Sequence, residues 1–320
     1  MMLIPGSTLK VFPLCLGTAD MGTRIPRDTA FGILDAYAAA GGNFLDTANV
    51  YAEWLPGGRG ASETLIGDWL AARRRRRAFV IGTKGAHMHL DAMDVPRMSR
   101  AEIAGDIETS LQRLRCGHID LYWLHRDDPS RPVAEIIESL NAFIALGHIR
   151  FIGCSNWRAS RIRDANDYAA AHGLRGFVAD QMLWNIGVPD PCAIGDKTIV
   201  IMDNELHDHH ARTGLAAIPF TSQANGFFAR MAAGNAGAIK PGTRNVYHLP
   251  ENIDRADRIA RLSAQTGLTP TQIVLGYLLS QPFPTVPIIG PQSLDQLHDS
   301  LSAAGVRLTP GQISFIERGE

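Results

Sequence analysis

Three side chains of different chemistry stand at the ends of three successive apolar runs, and a fourth follows in the loop after the first of them. The stretch FLDTANVYAE carries Asp46 and then Tyr51; VIGTK ends in Lys84; LYWLH ends in His125. A carboxylate, a phenol, an amine and an imidazole are the groups that hold and donate protons. Singly, each is an ordinary strand-end residue that caps the helix to follow. Their joint occurrence on three adjacent units points instead to a site.

Such groups converge only if the chain alternates strands with helices. Strand-like runs lie at 13–19, 43–48, 78–84, 118–125, 150–156, 176–182, 215–221 and 285–290. Helical patterns separate them. TAFGILDAYAAAGG has Phe31, Leu34 and Ala38 at helical spacing, with Asp35 free to face solvent, and ASETLIGDWLAARR offers Ser62 as a cap. Eight such units predict an α/β fold: a (β/α)₈ TIM barrel over residues 1–320 as one domain, with C-terminal helices. A doubly wound sheet that bound a dinucleotide would show GxGxxG after its first strand, and the chain has none there. Barrel chemistry sits at the C-terminal strand ends. There the sequence also places Ser155, Asn156, Gln181, Phe220 and Thr221. The irregular stretch 224–250 after the seventh strand is too long for a connector and reads as a functional lid or insertion.

Composition excludes several classes. Hydrophobic residues are 45% and charged residues 20% of the 320, enough for a sizeable core. A formal net charge of −1 gives no general affinity for nucleic acid or anionic membrane. The run Arg73–Arg77 reads as a solvated helix end, where cations suit the helix C-terminus. Cys15, Cys116, Cys154 and Cys192 are scattered, which suits a reduced cytoplasmic setting. No signal peptide and no membrane span of about 18 apolar residues is expected.

NFLDTANVYAE, VIGTKGAH, IDLYWLHRDD and FIGCSNW together resemble the core motifs of the aldo-keto reductase superfamily, and the likeness runs from LGTADMG to PIIGPQSLDQL. The resemblance implies a barrel that binds a nicotinamide dinucleotide without a Rossmann motif. It implies a catalytic tetrad of Asp46, Tyr51, Lys84 and His125, and a small-molecule carbonyl as substrate. The chemistry is coherent. Tyr51 can donate a proton to a carbonyl oxygen. A nearby ammonium, Lys84, is expected to lower the phenol from its ordinary value of about 10. Asp46 can hold Lys84, and His125 can polarise the same oxygen.

By the same resemblance Ser155, Asn156 and Gln181 hold the nicotinamide carboxamide, and Phe220 stacks on its ring. Thr221, Ser222 and Gln223, with Gly226 beyond, meet the diphosphate. Gly17 and Thr18 of LGTADMG line the same groove, and Gln296 and Asp299 serve the adenosine. The family's NADPH-preferring members carry a cation near 290–292, where this chain has Gly290, Pro291 and Gln292. Lys240 or Arg244 could supply it. NADPH remains the favoured cofactor, with NADH possible.

Trp54, His87, Arg126 and Trp157 are the substrate-pocket candidates; Trp123 is placed in the barrel interior. Aromatic faces with polar edges suit a sugar-like or an aromatic carbonyl. A non-catalytic nicotinamide sensor with this fold is the alternative, and the intact tetrad argues against it. In HDHH only His207 and His210 share a helix face, so no metal site is expected. Oligomeric state is not readable.

Overall fold

The computed structural model describes residues 1–320. Eight parallel strands form one curled sheet in the order β10-β3-β4-β5-β6-β7-β8-β9. They are β3 (Cys15–Gly17), β4 (Phe44–Asp46), β5 (Val80–Gly85), β6 (Ile119–Leu124), β7 (Ile149–Ser155), β8 (Phe177–Gln181), β9 (Ala216–Ala217) and β10 (Ile288–Ile289). The ring is drawn shut where the Ala217 amide donates to Pro284 O at 2.8 Å and the Val286 amide to Ala217 O at 2.9 Å. Every residue of β5 and β6 is buried, as expected of parallel strands covered by helices. The eight expected runs therefore form the (β/α)₈ arrangement.

Helices α1 (Arg27–Ala39), α2 (Ala61–Arg73), α3 (Arg100–Leu114), α4 (Val133–Ala145), α5 (Ala159–Ala171) and α6 (Asn204–Thr213) follow β3 to β8 in turn. In α3, Ser99 accepts from the Glu102 amide and Glu102 returns a bond to the Ser99 amide, a reciprocal cap worth about 1 kcal/mol. Ser62 does not cap α2. Gly60, left-handed at φ 71°, takes that position. Ser62 is buried in the first turn, donates to Thr18 O at 2.8 Å and lies 2.8 Å from the Thr47 hydroxyl. Asp35 does face solvent, and there Arg73 and Trp69 Nε1 both donate to it. The arginine run ends α2 and then anchors, with Arg76 pairing Asp120 at 2.8 Å.

Residues 224–250 differ from the irregular stretch expected. They hold α7 (Phe227–Ala232) and α8 (Pro241–Tyr247), fixed by the buried rings of Phe227, Phe228 and Tyr247. Helices α9 (Pro250–Thr266) and α10 (Pro270–Leu279) precede β10; α11 (Leu294–Leu301) and α12 (Pro310–Arg318) follow it. An antiparallel hairpin, β1 (Met2–Leu3) with β2 (Lys10–Val11), was not foreshadowed.

The hairpin supplies Ile4, Leu9 and Val11 to an inner cluster with Phe44, Leu121, Trp123 and Ala179. Trp123 does fill the barrel interior. A Cβ at Gly82 would stand 2.8 Å from its indole nitrogen, and one at Gly153 2.4 Å from its ring. Strand residues two apart share a face. Above Phe44, Gly82, Trp123, Gly153 and Ala179 on that face come Asp46, Lys84, His125, Ser155 and Gln181. The packed interior is thus the platform on which the polar residues stand.

Candidate active site

The four groups that opened the sequence reading meet at the barrel mouth. Lys84 Nζ donates to Asp46 Oδ2 at 2.5 Å, to the Tyr51 hydroxyl at 2.8 Å and to Thr47 O at 3.0 Å. The Tyr51 hydroxyl lies 3.3 Å from the same Asp46 oxygen. Gln181 Nε2 donates to the other, Oδ1, at 2.8 Å. Lys84 and Asp46 are only 2% and 1% exposed. A buried ion pair persists only when its hydrogen-bonding capacity is met, and here all three lysine donors are used.

The electrostatics carry one correction. Burial pushes the Tyr51 phenol up to about 12; Lys84 works to lower it, and Asp46 works with burial. The expected lowering by Lys84 is present but outweighed, first by burial and then by the Asp46 carboxylate. Burial works to lower the Lys84 ammonium, yet Asp46 and Tyr51 together lift it above its ordinary value. Tyr51 therefore holds its proton, and Lys84 its charge, at neutral pH.

His125 stands 6.0 Å from Tyr51, ring centre to ring centre. Burial first, then Arg126, His87 and Lys84, hold the imidazole well below its usual range, so it is neutral. Its Nδ1 is buried without a partner. An orphaned lone pair is cheaper there than an orphaned N–H, which places the proton on Nε2.

A cleft of about 1170 Å³ opens above these residues. All four line it, as do Ser155, Asn156, Gln181 and Phe220. Gly17, Thr18, Thr221, Ser222, Gln223 and Gly226 form one wall. Gly290, Gln292, Gln296 and Asp299 form its far end. Asn156 adopts φ 61°, which asparagine tolerates. Its side chain donates to His125 O at 3.2 Å and accepts from the Val200 amide at 3.1 Å. Thr221, Ala224, Asn225 and Gly226 all have positive φ, curling the backbone after β9. Ser222 donates its hydroxyl to Ile288 O at 2.5 Å, so toward a ligand it can only accept.

The pocket candidates separate. Trp54 is 46% exposed at the rim, edge-on to Tyr51 at 6.4 Å. His87 packs against His125 at 4.8 Å. Arg126 lines the cleft. Trp157 does not: it is fully buried against Phe177, with its indole N–H on Arg126 O at 3.1 Å. Its place straight after a polar strand end concealed that it points outward into the helix layer. Lys240 lines the cleft, whereas Arg244 turns to Ala236 O. Arg24 and Ile199, on loops that carry no periodic signal, line it unforeseen, as does Arg230 of α7. His207 and His210 both pack on Phe283.

A ring of eight strands with a buried acid–lysine–phenol chain at the mouth of a long cleft defines an oxidoreductase barrel. The aldo/keto reductase family profile matches residues 13–318, and the chain belongs to that family. It is 29% identical to norsolorinic acid reductase B of Aspergillus parasiticus, over 98% of this chain and 82% of that protein. It is 27% identical to an aryl-alcohol dehydrogenase [NADP(+)] of Phanerodontia chrysosporium, over 98% and 84%. An uncharacterized oxidoreductase of Bacillus subtilis is 29% identical, over 94% and 89%.

Proposed function

We propose that the protein reduces an aromatic aldehyde or ketone to the alcohol, with NADPH as favoured cofactor and Tyr51 as general acid. The observation that carries this is the chain Asp46–Lys84–Tyr51, at 2.5 and 2.8 Å, beside a neutral His125. When bound, the nicotinamide supplies the hydride. The protein's residues do the rest. Tyr51 keeps a proton ready, and Lys84 stabilises the phenolate left after its transfer. His125 donates Nε2–H to the same oxygen as negative charge develops. Asp46, itself held by Gln181, fixes the lysine.

The cleft fits a nicotinamide carboxamide. Gln181 Oε1 is buried with no partner, although Nε2 is used. A primary amide supplies the missing donor. Phe220 offers a flat apolar face, and the curled backbone at 221–226 suits a diphosphate. Arg230 and the exposed Lys240 supply cations that Gly290, Pro291 and Gln292 do not. Because Lys240 is exposed and Arg230 also serves Asn225 O at 2.9 Å, NADPH is favoured over NADH by a modest margin.

The aromatic choice over a sugar rests on Phe220 in the cleft lining, on Trp54 edge-on to Tyr51, and on the name of the aryl-alcohol dehydrogenase relative. The test follows reduced-cofactor absorbance with benzaldehydes, aryl ketones and sugar aldehydes, with NADPH and NADH in parallel. Turnover of aromatic carbonyls is expected. Turnover confined to sugars would overturn the substrate class; tight cofactor binding with no turnover would favour a sensor.

A further inference from the structure

One fixed charge beside the tetrad neither gives nor takes a proton, although it helps to keep His125 neutral. Arg126 follows His125 in the chain and lines the cleft, yet its side chain is only 9% exposed. A guanidinium in such a place is well suited to grip a substrate carboxylate with two parallel hydrogen bonds. Here the protein occupies it with its own groups. Nη2 pairs with Asp196 Oδ2 at 2.6 Å, Nε donates to Thr198 Oγ1 at 2.7 Å, and Nη1 donates to His125 O at 2.8 Å. The side-on edge formed by Nε and Nη2 is therefore filled.

The occupying turn is itself preformed. Asp196 Oδ1 accepts from the Thr198 amide at 2.9 Å and from the Thr198 hydroxyl at 2.5 Å. Thr198 thus receives from the arginine and gives to the aspartate, closing a cycle of three side chains. The next residue, Ile199, lines the cleft, and Val200 is bonded to Asn156. The segment that covers Arg126 is the one that walls the site.

Two consequences follow from charge. With Asp196 in place the pair is neutral, and a substrate carboxylate must share the guanidinium with another anion at close range, which is unfavourable in a partly buried site. A neutral substrate meets no such obstacle. Resting on the reductase reading, we propose that Asp196 is a specificity-determining residue: by occupying Arg126 it restricts the site to carbonyl substrates that carry no carboxylate.

The test compares benzaldehyde with 2-, 3- and 4-carboxybenzaldehyde, using the full chain and reduced cofactor. In wild type every carboxylated isomer has a lower kcat/KM than benzaldehyde. Asp196→Asn keeps an oxygen for the Thr198 turn and removes the charge. It should raise the ratio of carboxylated to neutral kcat/KM by about tenfold or more for at least one isomer, through KM. Asp196→Glu should restore discrimination, and adding Arg126→Gln to Asp196→Asn should abolish the gain. A loosened loop would lower both substrates alike and leave the ratio unmoved. A wild type that accepts a carboxylated isomer as well as benzaldehyde, or a folded Asp196→Asn protein with an unchanged ratio, overturns the proposal. Absence of aldehyde turnover in both proteins would defeat the reductase reading instead. Calorimetric titration with benzoate then decides the masking: about tenfold tighter binding by Asp196→Asn supports it, and equal affinities overturn it.

Discussion

The floor of the cleft and its rim are built from similar residue types held in different ways. At the floor the ionised groups are paired and buried: Asp46 receives Lys84 on one oxygen and Gln181 on the other. The support below is a packed indole between two glycines. At the rim Gln292, Gln296 and Asp299 are exposed, and Gln292 reaches Asp20 at only 3.4 Å. Preorganised groups in a dry site act on developing charge without rearranging; exposed cations act through a screened attraction. On the proposed function the floor carries the chemistry and the rim the choice of cofactor.

The comparison breaks most easily at Lys84. Lys84→Met leaves Asp46 buried with Gln181 and the Tyr51 hydroxyl but no cation, which should cost about 3–5 kcal/mol in denaturant unfolding and remove turnover. A variant of near wild-type stability would show that the floor is looser than described. Beneath it, Gly153→Ala drives a methyl into Trp123 and toward Ala179 O at 2.9 Å. A loss of about 1–3 kcal/mol is expected, together with slower turnover.

The pH profile sharpens the same contrast. With Tyr51 lifted to about 12 and His125 held well below its usual range, neither group titrates near neutrality. The kcat/KM for reduction should run level from about pH 7 to 10. Stability follows with opposite signs at the two ends. Tyr51, raised, contributes stability below its unfolded value of about 10 that is lost as pH climbs toward 12. His125, lowered, costs stability as pH falls below its unfolded value of about 6.5, because only the unfolded imidazole then takes a proton. A break in rate near pH 8 would contradict this ordering. At the rim, Lys240→Ala and Arg230→Ala should weaken NADPH binding by roughly 3- to 10-fold each, more at low salt, and leave NADH nearly unchanged.

The sequence disclosed the eight strand positions because buried parallel strands are near-continuous apolar runs bounded by polar residues. It disclosed Asp46, Lys84 and His125 because each stands where such a run stops, and Tyr51 through its spacing from Asp46. The hairpin at Met2–Val11 escaped, since two-residue strands show no period. Helices α7 and α8 escaped because alanines and glycines mask the pattern that their few buried aromatics would set. Ser62 misled through its type: it is a good cap residue, but Gly60 had already turned the chain. The Tyr51 correction has another cause. Motif spacing shows that an ammonium is near, while the strength of burial is a property of the packed fold.

The most direct measurement is single-turnover oxidation of bound NADPH by an aromatic aldehyde in wild type and Tyr51→Phe, with cofactor affinity measured alongside. Loss of about 10³-fold in the rate with unchanged cofactor binding is expected for removal of the general acid. A mutant rate within a few-fold of wild type would mean that the proton comes from elsewhere and that the floor does not do what its geometry suggests.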